Sequence, residues 1–428
     1  MSRNVDVRQP RDNQRIHICR LGSPRAADVR SLAMVRVRTL GTIVVAALAS
    51  SLTAAPTRAA TSPATPAGAA PVSKKETVPQ KHVPGGIRLL VDDDTSKFFL
   101  GLANGTDHYY TEGARLLWFS TSSPLSFSLA EPRRWWPTQV GWGLTLGQSM
   151  YTPANIDDPL LQPYDRPYGA WLYGGLLARL WWLKPDDPDY HPSSLVFDLD
   201  VGVIGPWALG YQFQTGAHYA IRWGDRDGDP SDPKGWGYQI GNQHNFVGAN
   251  LRTVWQRELA RCRPLSWLGT ELHVEGVAEV GNVFVRAGAG LFARVGYLDQ
   301  GIPTMTTIHG DPSWLQDRQN PRPVDQTMPA RRQAWELFLI AKAEPILVGW
   351  NLFVQGSADS HGLAAAPVVI ETALGPVLRI RSFLFSWTLV TRSRETRDEL
   401  PAVTGATERS WLFAHKFARI QIAWEFDR

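Results

Sequence analysis

Beyond Gly86 the chain alternates between apolar and polar positions over stretch after stretch. In ELHVEGVAEV, Glu271, His273, Glu275 and Glu279 fall on one face, and Leu272, Val274, Gly276, Ala278 and Val280 on the other. In LVFDLDVGVIG, Leu195, Phe197, Leu199, Val201 and Val203 oppose Asp198, Asp200 and Gly202. Near the C-terminus, Ile420, Ile422, Trp424 and Phe426 alternate with Arg419, Gln421 and Glu425. A period of two marks β-strands, whose successive side chains point to opposite faces. About twelve such segments begin near Gly86, Tyr110, Val140, Gly169, Leu195, Asn245, Thr270, Val283, Trp335, Val368, Phe383 and Ser410. No apolar run there approaches the roughly 20 residues a membrane-spanning helix needs.

A soluble sandwich and a membrane barrel both alternate, but they bury opposite faces. The segments are long, several ionisable groups share the polar face of one strand, and Trp135, Trp136, Trp171, Trp181, Trp182 and Trp424 crowd the strand ends. Lipid outside, a polar lumen inside and aromatic girdles at both ends make that pattern. The expected fold is therefore all-β: a transmembrane antiparallel β-barrel of about 12 strands, an even number.

The first residues read differently. An arginine-flanked apolar run from Leu40 to Ala49, followed by small residues to Ala60, reads as an export signal, with Met34 as an alternative start. The expected organisation is an extension and signal over 1–60, a Pro/Ala-rich linker over 61–85, and a barrel over 86–428. The formal charge of +4 rests on the leader, whose first 60 residues hold ten arginines against three acidic residues. Nothing basic then remains to argue for nucleic acid, and since Cys19, the other of the two cysteines, lies before the signal, no cysteine metal site is expected in the mature chain.

With both chain ends on the inner side, each odd-to-even connection opens on the outer rim. The first carries VDDDTSKFFLGLANGTDHYYTEG, the second YTPANIDDPLLQPYDRPYGAW, and the third, between strands 5 and 6, is the longest. Within it YQFQTGAHYAI spaces Tyr211, Gln214, Ala217, His218 and Ile221 by three and four, predicting a short helix with Gln214 and His218 on one face. A lone His on a helix is more often packed than catalytic. Asp92, Asp93, Asp94 and the Thr111 hydroxyl are expected on the same rim, and that company turns His218 into a candidate general base. A carboxylate cluster of this kind suits Ca²⁺. The run Asp225, Asp227, Asp229 and Asp232 fails as an EF-hand, because Pro230 stands where Gly is required. Asp229 or Asp232 remains a candidate second carboxylate.

Taken in order, the acidic triplet, TDHYYTEG, QSMYTP, DRPYGAWLYGGL, VGVIGP, QTGAH, PKGWGYQI and TRSRE resemble the outer-membrane lipid A 3′-O-deacylases, from about Leu89 to the C-terminus. Each motif is weak; their succession is specific. The resemblance implies a calcium-dependent, twelve-stranded ester hydrolase of the Gram-negative outer membrane, its site towards the external leaflet and lipopolysaccharide its substrate. It implies His218 as the base activating water, Gln214 beside it, Thr111 as an active-site hydroxyl, and Asp93 and Asp94 as the acidic pair, with Asp94, Asp93 and Asp232 as metal ligands. The family's Asn in that pair is absent here, and the pair reads equally in register as Asp92 with Asp93. No protein partner is evident. The rival expectations are a passive pore or structural barrel, and a relative that binds lipopolysaccharide without cutting it.

Overall fold

The computed structural model describes residues 85–93, 109–120, 137, 139–182, 191, 193–221, 233–265, 267–297, 335–397 and 415–426. The first six strands are β1 (Gly86–Asp93), β2 (Tyr109–Phe119), β3 (Gln139–Thr152), β4 (Gly169–Trp182), β5 (Ser193–Ile204) and β6 (Phe246–Leu265). They are followed by β7 (Leu268–Gly281), β8 (Phe284–Tyr297), β9 (Trp335–Asn351), β10 (Val368–Ile380), β11 (Phe383–Arg392) and β12 (His415–Glu425). The first eleven begin within two residues of where the alternation puts them. The expected start of the last, Ser410, lies outside the described residues, as does nearly all of the leader and linker.

Each strand pairs antiparallel with its sequence neighbours, and β12 pairs with β1, closing a barrel. Exposure then sorts the two faces. The outward positions are apolar and bare: Leu176 is 58% exposed, Phe383 60% and Val247 64%. The inward positions include Arg88, Arg179, Glu275, Glu371 and Arg419, all buried. A water-soluble sheet would invert that arrangement, so the outward band belongs in lipid.

The buried charges are paired across the lumen as well as between neighbours. Arg115 of β2 reaches Asp198 of β5 at 2.7 Å and Asp200 at 3.2 Å, and its Nε donates to Thr145 of β3 at 2.7 Å. Lys342 of β9 meets Glu275 of β7 at 2.5 Å and Glu344 at 2.9 Å. Arg286 binds Glu279 at 2.7 Å, and Arg392 binds Glu371 at 2.8 Å. These side chains and Phe119, Tyr173, Trp181 and Phe292 fill the interior. Trp171 and Trp181 were expected among the interfacial aromatics. Both are 3% exposed and occupy inward positions of β4, Trp171 packing on Tyr173 with ring centroids 4.3 Å apart and Trp181 beside Arg179. Trp424 does face outwards.

The closing seam carries its own clamp. Asp92 and Arg419 are directly opposed between β1 and β12, and the guanidinium donates Nε to Oδ1 and Nη2 to Oδ2, both at 2.7 Å. A forked pair excluded from water is costly to break from one side, about 3–5 kcal/mol. Arg419→Ala is expected to destabilise the barrel by about that amount, read as a lower urea midpoint for the heat-modifiable folded band. An unchanged midpoint would show that closure does not lean on this pair.

Candidate functional site at the barrel mouth

The chain leaves β5 through Gly205, whose φ of +112° suits only glycine at low cost. Asn245 holds that turn by accepting a hydrogen bond from the Trp207 backbone N–H at 2.8 Å. One 3-10 turn, Pro206–Ala208, leads to helix α1 (Gly210–Ile221), where the three-and-four spacing predicts it. Gln148 of β3 donates Nε2 to the Ala208 carbonyl at 2.5 Å, and this ties the entry of α1 to the barrel wall. The first turn of α1 is pressed in closely: a Cβ on Gly210 would lie 2.3 Å from the Trp236 ring and 2.6 Å from Ala170 of β4.

Trp236 belongs to a second 3-10 turn, Gly235–Tyr238, and packs against Tyr168 with ring centroids 5.1 Å apart. Its indole N–H donates to Gln214 Oε1 at 2.8 Å. That bond fixes which end of the Gln214 amide points where. Gln214 is 1% exposed, and its Nε2 has no partner among the described residues, leaving a buried donor available to a bound group. The Thr215 hydroxyl is in the same condition. His218, 7% exposed, sits one turn beyond on the same buried stripe as Gly210 and Gln214. An imidazole, a group able to move a proton, and an amide, a group able to donate to an oxygen, thus share one face of α1 at the mouth.

The other expected residues are placed only by their backbones. β2 and β3 slip register between Tyr110, opposite Tyr151, and Glu112, opposite Met150, making Thr111 the extra residue of a bulge. Bulges at barrel rims re-aim side chains. Asp93 ends β1 opposite Glu112, so Asp93 and Thr111 lie at the same end of adjacent strands, their side chains outside the described residues. Asp94 and the whole run Asp225 to Asp232 also lie outside them. Asp92 is committed to Arg419.

Two further connections at this rim add to the three long ones. Between β9 and β10, helix α2 (Leu352–Gln355) is capped by Asn351, whose side chain accepts from the Phe353 N–H at 3.1 Å, and Phe353 stacks on Tyr151 at 4.1 Å. Beyond β11, Glu395 accepts from Arg166 of the β3–β4 connection at 2.9 Å and lies 3.6 Å from His415. Burial works to raise the Glu395 carboxyl, but Arg166 and then Arg392 beside it prevail and hold it at about 2. The motifs DRPYGAW, PKGWGYQI and TRSRE contain Arg166, Trp236 and Glu395, so the signal was present; their contacts were not readable from it.

Among the described residues, one set of three His or acidic side chains is spaced to hold a metal: Glu258, Glu271 and His273. It lies on β6 and β7 and is not part of this mouth.

A family model described as outer membrane protein LpxR matches residues 45–413. Among solved structures, the chain is similar to LpxR from Salmonella typhimurium at 18% identity and a TM-score of 0.55, covering 80% of this chain and 100% of that one. At that identity the likeness speaks for the fold alone. The translocator domain of autotransporter NalP from Neisseria meningitidis aligns over 80% of this chain and 88% of its own at 10% identity, with a TM-score of 0.30, too low to carry an argument. No curated protein matches the sequence.

Trp236→Phe removes the donor that Gln214 Oε1 needs while keeping an aromatic ring. Leaving a buried acceptor unpaired costs about 1–3 kcal/mol, so amide exchange in α1 is expected to accelerate roughly fivefold to a hundredfold, with the strands unaffected. Equal exchange would mean the indole bond does not hold the helix. The Glu395 latch has a definite pH sense. Its folded pKa lies below the ordinary 4.5, so its stabilisation is complete above pH 4.5 and drains away as pH falls towards 2. Protection of segment 393–397 is expected to follow that window in the wild type and to be lost, independently of pH, in Glu395→Gln.

Proposed function

This chain belongs to the LpxR family of outer-membrane proteins, and we propose that it is a hydrolase removing ester-linked acyl chains from the 3′ position of lipid A. The observation that carries the reading is the buried stripe of α1, where His218 follows Gln214 by one turn at the mouth of a filled, closed barrel. A buried imidazole beside an unspent amide donor is poorly explained by packing alone. Both sit where a lipid of the external leaflet would present its sugar and the first carbons of its acyl chains.

In the proposed reaction the neutral His218 imidazole takes a proton from water, and the resulting hydroxide adds to the ester carbonyl. The tetrahedral intermediate expels the sugar oxygen, which recovers the proton from the imidazolium, releasing a fatty acid and a free sugar hydroxyl. Gln214 Nε2 and the Thr111 hydroxyl would donate to the substrate's oxygens and orient the ester. Gln214 is held for that task by Trp236.

The expected calcium would be held by carboxylates of the external connections. Asp92 is occupied by Arg419, which favours Asp93 and Asp94 as the acidic pair, with Asp232 from the long connection. Carboxylates without thiolates suit a hard cation. When bound, Ca²⁺ supplies polarisation of the carbonyl and charge opposite the oxyanion.

The passive-pore alternative is disfavoured by the lumen, where buried cations and carboxylates satisfy one another across the space an aqueous channel would need. Mass spectrometry of lipid A from expressing cells is expected to show loss of 3′ acyl chains. His218→Ala should slow that loss by at least about a hundredfold, and a calcium chelator should suppress it. Acyl loss that persists in His218→Ala would remove the base from the mechanism, and channel current with unaltered lipid A would favour the pore.

A further inference from the structure

The turn Pro206–Ala208 and the start of α1 lie on the outer surface of the wall, the face that elsewhere meets lipid. Strand parity places them there. On β3, Leu144 and Leu146 point outwards and are exposed; Gln148, the next residue of that face, is buried and donates to the Ala208 carbonyl. On β4, Leu176 points outwards, and so do Leu172 and Ala170 above it. Ala170 and Met150 are buried in one cluster with Ala208 and Trp236, and Leu172 and Val203 pack against it. An amide turned towards hydrocarbon is costly without a partner. The turn gives Gln148 that partner and covers it.

The uncovered side of this segment is apolar. Trp207 is 72% exposed and Phe213 47%, and Leu209 and Tyr219 are exposed as well. From Pro206 to Ile221 the sequence PWALGYQFQTGAHYAI contains no Asp, Glu, Lys or Arg. A helix whose far side meets water carries charged and polar residues there, whereas one lying at a bilayer surface turns Trp, Phe and Leu into it.

The level agrees with that environment. A hydrocarbon band of about 25 Å takes about ten residues of a tilted strand. Ten residues up from Trp182, at the lower end of β4, stands Leu172, against the cluster that holds Ala208. At the lower rim the strands themselves supply outward aromatics, among them Trp118, Trp142, Trp255 and Trp424. Near the upper ends of β3 to β6 the outward positions are Met150, Ala170, Val203 and Val247, and none is aromatic.

We propose that Trp207, Leu209 and Phe213 are immersed among the acyl chains of the outer leaflet, just below the head groups, and stand in for the upper aromatic girdle that β3 to β6 lack. Their surface is continuous with the lipid-facing belt through Leu172, Val203 and Val201. Helix α1 then lies between the wall and lipid, its buried stripe turned to the wall. The inference follows from the outer-membrane fold and rests on no part of the deacylase reading.

The test uses the full chain with Cys19→Ser and Cys262→Ser, carrying one nitroxide label at Trp207→Cys, Phe213→Cys, Val201→Cys or Ala358→Cys. Each variant is folded into phosphatidylcholine vesicles and checked as the heat-modifiable band. Collisions with oxygen, which concentrates in hydrocarbon, and with a nickel chelate, which stays in water, report the label's surroundings. Val201 is exposed on the lipid side of β5, and Ala358 is exposed in the β9–β10 connection, where Phe353 stacks on the inward Tyr151. Labels at 207 and 213 are expected to match the label at 201, shielded from nickel, and to differ from the label at 358, which nickel reaches. The proposal is overturned if nickel reaches 207 and 213 as readily as 358, and nickel access at 213 alone would overturn it for the helix. Either label decides the matter for its own segment should the other variant fail to fold.

Discussion

Hydrocarbon offers no partner to a backbone N–H or C=O, and that single constraint governs this molecule. An open sheet would leave two edges unpaired in lipid, so the first and last strands must meet. β1 and β12 do so in continuous register from Gly86 opposite Glu425 to Asp93 opposite Ala418. Closure brings residues more than three hundred positions apart into direct contact, and it makes the inside of the ring a separate solvent. The Asp92–Arg419 fork is the local expression of both effects: it spans the seam and it neutralises a charge that the ring has enclosed.

Enclosure has a second consequence. Charges turned away from lipid would be expensive in a dry lumen unless matched, and the described lumen pairs cations with carboxylates at several levels, from Arg115 with Asp198 to Lys342 with Glu275. The interior therefore acts as a rigid filling on which the connections at the mouth can rest. Helix α1 rests on it through Gln148 and Trp236, and the β3–β4 and β11–β12 connections are tied together by Arg166 and Glu395. A barrel that is plugged and latched in this way offers its chemistry at the rim.

Strand positions were legible because alternation is a local property. A residue's face follows from its parity, and the parity of Glu271, His273, Glu275 and Glu279 is visible in the bare sequence. The helix of Gln214 and His218 was legible for the same reason, from a spacing of three and four. Partners were not legible. Trp171 and Trp181 look like interfacial anchors by residue type, yet they are inward by parity and fill the lumen. Trp236 stands in the motif PKGWGYQI without a visible role, because its bond to Gln214 links two turns of one long connection whose path no periodicity predicts.

The sequence by itself determined the architecture: lipid and lumen demand opposite side chains on alternate residues, and that demand is written position by position. Only the tertiary structure decided that Asp92 serves the seam, that Trp236 orients Gln214, and that Glu395 latches two connections. These pairings join segments remote along the chain through the curvature and register of a closed ring, and a distance of that kind leaves no trace in local composition.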